Sequence, residues 1–572
     1  MYPETMIRKI NALGRKWLIL FMIIPFTIIS WGFVDDYFQY GKQLEIFASV
    51  YREVNQYYVD EVNPGELMKT GINGMLNNLD PYTNYYPESE IEDYRMKHVS
   101  TEYGGIGASS FRIGDSVVVY DVYEGFPAQK ADLRTGDVIL SVNSRPLKGL
   151  SPEEVDEMIK GQSGTPIKLT IIRNGDTQPI EKTIIREDVK VKNVSYFGMI
   201  NDSTGYIKLD KFLQNCFNEV HDALVELKKN PKMNALVFDL RGNGGGLLEE
   251  SVQILNLFIN KGQLLVTQKG RIEGSNAIYV SKSDPVDANI RVAVLVDKMS
   301  ASASEITAGN FQDVDRGVII GQRSYGKGLV QQTRPLSFNS QLKVTVAKYT
   351  TASGRCVQTK IYSHRLDEGV IEIADSVAKE FKTKNGRTVY DASAVYPDRY
   401  IAPMDTSNIA RSLYRNLLIF EYASEFRNKK STIDSAATYH FTDADYKEFI
   451  RFLDTKEYDY STQTEASYAE LKDIVIKDKY YASVGKELDH LGGILKHNKS
   501  EDLLSFKDEI KGMLEKEIVN RYYFATGKYK YMFTHDPIVK EALTVLGDPV
   551  LYTSILQGEG KYKVIGKPGD RK

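Results

Sequence analysis

The strongest constraint on this chain is a strand that turns into a helix built from serine and alanine, followed further on by a lysine framed by glycines. Residues 291–296 are a short, mostly apolar run that suits a buried strand. The residues after Asp297, including Ser300-Ala301-Ser302-Ala303-Ser304-Glu305, predict a helix starting within 300–305, with no bulky side chain over its first turn. A hydroxyl and its neighbouring amides are then open to a substrate backbone, which is the logic of a nucleophile elbow without the Gly-x-Ser-x-Gly spelling. Taken alone, the same letters describe a helix start capped by serine. The balance shifts at Gly326-Lys327-Gly328, which runs into Leu-Val-Gln-Gln, a strand pattern. A phosphate-binding loop is rejected, because Gly328 stands where Ser or Thr would hold magnesium and no helix follows. A lysine beside a serine can act as general base if burial keeps its amine neutral.

Ser-Ala-Ser-Ala-Ser-Glu, followed at this distance by Gly-Lys-Gly-x-Val-Gln, resembles the carboxyl-terminal processing peptidases, tail-specific serine proteases that carry a PDZ domain. The resemblance runs from about Tyr51 to Pro397. It implies Ser302 as nucleophile, Lys327 as base and Gln331 as the residue that orients the lysine, with no cofactor.

At 572 residues the chain exceeds a single hydrophobic core. The expected organisation is an α/β multidomain protein: an α/β serine-protease core with an inserted PDZ domain, an N-terminal helical segment and a C-terminal helical extension. The expected divisions are a targeting segment at 1–35, helices at 36–98, a PDZ domain at 99–188, the catalytic core at 189–404 and a helical extension at 405–572. In the first of these, Arg8, Lys9, Arg15 and Lys16 precede the apolar stretch 17–34, which reads as an uncleaved membrane anchor with the remainder exported to the periplasm or exterior. Signal cleavage to a soluble periplasmic form is the alternative. In the second, Leu44, Phe47, Tyr51, Val54 and Tyr58 form one apolar face, and Asn63-Pro64 opens a second helix that ends before Leu79-Asp80-Pro81-Tyr82-Thr83. In the family this segment packs on the protease core and can serve dimerisation, so a homodimer contact is implied beside plain scaffold packing.

Tyr103-Gly104-Gly105-Ile106-Gly107 resembles the PDZ loop that cradles a peptide carboxylate while the peptide adds a strand. Residues 125–133 and 136–139 match the domain's internal helix and next strand, and 150–160 its groove helix, capped by Ser151-Pro152-Glu153-Glu154. Lys160 stands where relatives often have arginine, and lysine lacks the planar fork. The implied partners are proteins with unstructured C-terminal tails. Within the core, an apolar run at 235–240 is followed by Gly242-Asn243-Gly244-Gly245-Gly246 and then a helix to about 259. The glycine spacing does not fit a dinucleotide loop, and the better reading is an oxyanion hole built from the amide of Gly244 or Gly245 and that of Ala303. Ala392-Ser393-Ala394 stands where relatives commonly have glycines.

In the extension, Leu503, Phe506, Ile510, Met513, Leu514 and Ile518 form a helical face that carries no chemistry of its own. A net charge of −3 makes no case for nucleic acid. Cys216 and Cys356 are too few for a disulfide framework, and no His/Cys/Asp/Glu set has metal-ligand spacing. His221 offers a Ser-His-Asp alternative that spacing alone leaves open. The rival from another class is a catalytically silent PDZ scaffold.

Overall fold

The computed structural model describes residues 38–91, 94–95, 102–173, 176–362 and 369–569. The expected targeting segment 1–35 lies outside them. At the centre is a six-stranded sheet in the order Val194–Met199, Thr204–Leu209, Ala235–Asp239, Arg291–Val296, Val318–Gly321, Arg399–Tyr400. The first pair is antiparallel and the rest run parallel. Parallel strands are covered on both faces, which is why 235–239 and 291–296 read as nearly unbroken apolar runs.

Alternate residues serve the two faces. Leu236, Phe238, Val292 and Val294 pack with helices Cys216–Leu227, Leu248–Leu255 and Ala303–Asp313. Ala235, Val237, Ala293 and Leu295 meet Ile538, Val539, Ala542 and Val545 of Pro537–Gly547. A helix from the far end of the chain thus forms the outer layer of the central sheet, although its sequence sits in the C-terminal extension. Because Ala235–Asp239 and Arg291–Val296 are adjacent and parallel, the glycine loop and the serine turn that follow them emerge side by side at one edge.

A second sheet joins Asn84–Tyr86, Gln341–Thr350, Leu264–Gly270 and Ala277–Val280, with Leu329–Pro335 also paired to Gln341–Thr350. Cys216 is packed in the core, Cys356 is half-buried, and both are free thiols.

The PDZ region is a sheet through Ala108–Ile113, Ser116–Val122, Val138–Val142, Pro166–Ile172 and Ile180–Ile185. Its period-two pattern turns Ile167, Leu169 and Ile171 inward, all fully buried. The groove helix is Pro152–Ile159, shorter than the expected 150–160 because Ser151 is its cap: Glu154 N–H donates to Ser151 Oγ and Ser151 N–H to Glu154 Oε2.

Residues 38–57 are helical, but Leu44 and Phe47 of the expected packing face are 70% and 48% exposed. Asn63 caps Pro64–Asn77, with proline in its first turn as expected. Toward the C-terminus, helix Lys507–His535 is folded back at Phe524 (φ 52°, ψ −155°). The expected apolar face is buried at Leu503, Ile510, Leu514 and Ile518, but Phe506 is half-exposed at the junction with the preceding helix Lys499–Ser505. No helix among the described residues is long and apolar enough to cross a membrane.

Candidate active site

Ser302 has φ 56° and ψ −112°, a conformation that non-glycine residues seldom adopt and that clusters at functional turns. With Ser302 in that backbone the helix is Ala303–Asp313, its start inside the 300–305 window that the sequence indicates. The flanking serines pin the turn to the glycine loop: Ser300 Oγ donates to the Leu240 carbonyl at 2.9 Å and Ser304 Oγ to the Asn243 carbonyl at 2.8 Å.

One residue the sequence quoted without assigning a role, Glu305, holds the site together. Its Oε2 accepts from the amides of Ser302 (2.9 Å) and Lys327 (2.8 Å). Its Oε1 accepts from Ser324 Oγ (2.6 Å) and the Gly326 amide (2.7 Å). Burial pushes this carboxyl above its ordinary range, against the four donors that hold it. On the other side, the Tyr349 hydroxyl lies 3.2 Å from the Ser302 carbonyl oxygen and 2.9 Å from that of Lys327. The backbones of Ser302 and Lys327 are therefore clamped together twice, by a carboxylate on their amides and a phenol on their carbonyls.

Lys327 Nζ donates to Gln331 Oε1 at 2.7 Å. Among the described residues no hydrogen bond joins it to Ser302 Oγ. Gln331 Nε2 donates in turn to Thr345 Oγ1 at 3.1 Å. The Thr345 amide donates to Thr83 Oγ1 (3.2 Å), and Thr83 Oγ1 to Asp80 Oδ2 (3.1 Å). Lys327 Nζ also lies 4.5 Å from the centre of the Tyr82 ring. Burial, with repulsion from Lys343 second, pulls the lysine down to about 8, while Glu305 and Asp80 oppose the shift. Asp80, Tyr82 and Thr83 sit in the Leu-Asp-Pro-Tyr-Thr stretch that the sequence reads only as a helix end. An Asp-Pro turn gave no hint of a contact with a lysine so distant in the chain.

The glycine loop abuts Ser302. Gly245 has φ +94°, and a Cβ there would lie 2.6 Å from Ala301 O, 2.8 Å from Ala303 N and 2.9 Å from Ser302 Cβ. Its amide donates to Asn243 Oδ1 at 2.8 Å. The amides of Gly244 and Ala303 take no acceptor among the described residues, and a Cβ on Gly244 would meet nothing within 4 Å. Just before the loop, Asp239 is buried and is held at about 2, against the pull of burial, by Arg241 and Lys208. His221 lies on the exposed side of Cys216–Leu227, where it contacts Asp222 Oδ1 (3.0 Å) and the Phe217 ring.

In the PDZ loop, the Ile106 and Gly107 carbonyls accept from Ala128 and Tyr123, whereas the Ile106 and Gly107 amides take no acceptor among the described residues. Gly107 has φ +73°, and a Cβ there would lie 2.3 Å from Phe126 Cβ. Gly104 is pressed against Gly161, and Lys160 Nζ lies 5.8 Å over the Tyr103 ring.

This geometry agrees with comparisons to known proteins. The family model of Peptidase family S41 matches residues 203–365, that of a PDZ domain 118–173, and that of the "Probable PDZ-protease, C-terminal helical domain" 409–546. A carboxy-terminal-processing protease of Bartonella bacilliformis is 34% identical over 320 residues, covering 55% of this chain and 73% of that protein. The chain belongs to the S41 family of carboxy-terminal-processing serine peptidases. A probable CtpA-like serine protease of Staphylococcus aureus is also 34% identical over 320 residues, covering 63% of its length. Among solved structures, the photosystem II D1 C-terminal processing protease aligns at 26% identity over 63% of this chain and 93% of its own, with a TM-score of 0.34. The α/β multidomain reading and the S41 resemblance drawn from the two motifs are borne out. The third family match reaches into 409–546, where the sequence resemblance had faded.

Proposed function

We propose that this S41 peptidase is a Ser-Lys dyad endopeptidase that shortens exported proteins from unstructured C-terminal tails. The observation that carries the reading is the double clamp of Ser302 to Lys327, with a half-buried lysine poised at about 8 and hydrogen-bonded to Gln331. Neutral Lys327 takes the proton from Ser302 Oγ as that oxygen attacks the scissile carbonyl. The resulting ammonium returns the proton to the leaving amine. Water then hydrolyses the acyl-enzyme by the same proton route in reverse order. Gln331, itself fixed by Thr345, aims the amine. The Gly244 and Ala303 amides are the free donors beside Ser302 and are assigned to the oxyanion, a contribution of about 3 to 4 kcal/mol per donor in comparable sites. Gly245 supplies clearance rather than a proton, since its amide is already bonded to Asn243.

The PDZ loop Tyr103–Gly107, with the unused Ile106 and Gly107 amides, is the proposed dock for the tail carboxylate. The basic residues ahead of 17–34 favour a membrane-anchored, outward-facing enzyme. The test is to incubate the full chain with a folded protein bearing a disordered C-terminal tail and follow its mass. Wild type and His221→Ala should cut it, while Ser302→Ala and Lys327→Ala should bind it intact. A wild type that binds tails without cutting them would mark a PDZ scaffold, and loss of cutting in His221→Ala would replace the dyad with a triad.

A further inference from the structure

His440, Glu515 and His535 stand far apart in the chain, so spacing gives no hint of them, yet the fold brings one ligand atom from each within 4.8 Å of the others. It is the one such grouping among the described residues. The gathering depends on the break at Phe524, which folds Lys507–His535 into two limbs. Tyr531 of the second limb then donates its hydroxyl to Glu515 Oε2 of the first at 2.6 Å. The turn that leads into helix Asp443–Leu453 supplies the third member. There the Phe441 amide donates to Glu515 Oε1 at 2.7 Å and places His440 Nδ1 4.0 Å from the same oxygen.

Two features point to a cation rather than to a chance meeting. Glu515 is only 7% exposed, and among the described residues no lysine or arginine forms an ion pair with it. A carboxylate so placed is costly without a positive partner. His535 Nδ1 lies 2.8 Å from the Tyr531 carbonyl oxygen, which can only accept, and 2.8 Å from Thr534 Oγ1, whose own hydrogen goes to that same carbonyl at 3.0 Å. Nδ1 therefore carries the hydrogen and Nε2 the free lone pair. The ring is also stacked on Tyr531, at 4.0 Å between centroids and 8° between planes. A histidine whose tautomer and orientation are fixed by a backbone carbonyl is the usual outer-shell arrangement of a metal ligand.

We propose that His440, Glu515 and His535 form a binding site for a divalent transition-metal ion of the zinc class, with water in the fourth position. Two imidazoles and a carboxylate suit that ion. Donors around a tetrahedral zinc stand roughly 3.4 Å apart, so the three must close slightly. His440, 73% exposed on its turn, has the freedom to do so. The ion would act as a staple. Asp536, the next residue after His535, accepts from Arg241 Nη1 at 2.6 Å, and Arg241 is paired to Asp239 at the end of the central strand. Metal at His535 would thus fix the C-terminal helices to the strand that leads into the glycine loop.

The test uses the untagged full chain, stripped of metal and titrated with Zn²⁺ under native mass spectrometry and calorimetry, and with Co²⁺ followed by visible absorption. One ion per chain is expected, together with a tetrahedral Co²⁺ spectrum and a melting midpoint raised by Zn²⁺. Affinity should fall at least about 100-fold in His440→Ala and His535→Ala. His440→Ala alters an exposed side chain and keeps the fold, which circular dichroism checks. No stoichiometric uptake by the folded wild type, or uptake unchanged in both variants, would overturn the assignment.

Discussion

The two glycine-rich loops, Tyr103–Gly107 in the PDZ region and Gly242–Gly246 in the core, look alike in sequence and differ in what their glycines do. In the PDZ loop, Gly104 and Gly107 are required by contacts within the domain, against Gly161 and Phe126, and the Ile106 and Gly107 amides take no acceptor among the described residues. In the core loop, Gly245 is required by the Ser302 turn, since any side chain there would strike Ala301, Ser302 and Ala303. A Cβ on its neighbour Gly244 would meet nothing within 4 Å, and its amide takes no acceptor among the described residues. Glycine thus serves as clearance at one position and as exposed backbone at the next, and the letters alone cannot say which.

That contrast can be broken experimentally. Gly245→Ala should lower kcat about 10²-fold or more, because displacing a nucleophile by a fraction of an ångström is enough for such a loss. Gly244→Ala should stay within a few-fold of wild type, since it adds a methyl to open space and keeps the amide. Equal loss in the two variants would contradict the division of roles, and steady-state kinetics on a tailed substrate reads both. Gly107→Ala should act in the other loop, raising KM roughly tenfold through a strain of about 1.4 kcal/mol while leaving kcat at saturation unchanged. A fall in kcat instead would mean that this loop communicates with the chemistry.

The smallest effect belongs to a third loop. Ala392 and Ala394 have φ of 52° and 57°, a backbone region that favours glycine. Ala394→Gly should relieve about 1 to 2 kcal/mol of left-handed strain, offset by about 0.8 kcal/mol for the buried methyl it loses. A small rise in the melting midpoint is the expected outcome.

The legible parts of this molecule were those with local signatures. The strand at 291–296 and the Ser151 cap are readable because period and caps are local physics. The Glu305 clamp, the Asp80–Thr83–Thr345–Gln331 chain of hydrogen bonds and the docking of Pro537–Gly547 on the central sheet are not, since each joins residues distant in the chain. Ser302 is readable as an approachable hydroxyl at a helix start, but its positive φ is not. The apolar face of 38–57 is readable as a pattern, and in the single chain its Leu44 and Phe47 stay exposed.

The most direct test of the central claim is the pH dependence of kcat/KM for tail cleavage. A lysine lowered to about 8 is protonated and inactive below that value and neutral above it, so the rate should climb through about pH 8 and then level off. Replacing Lys343 with Met removes a repelling charge, raises the Lys327 pKa and should move the climb to higher pH. A climb centred near about 6.5, the range of an ordinary histidine, that is abolished by His221→Ala would contradict the account.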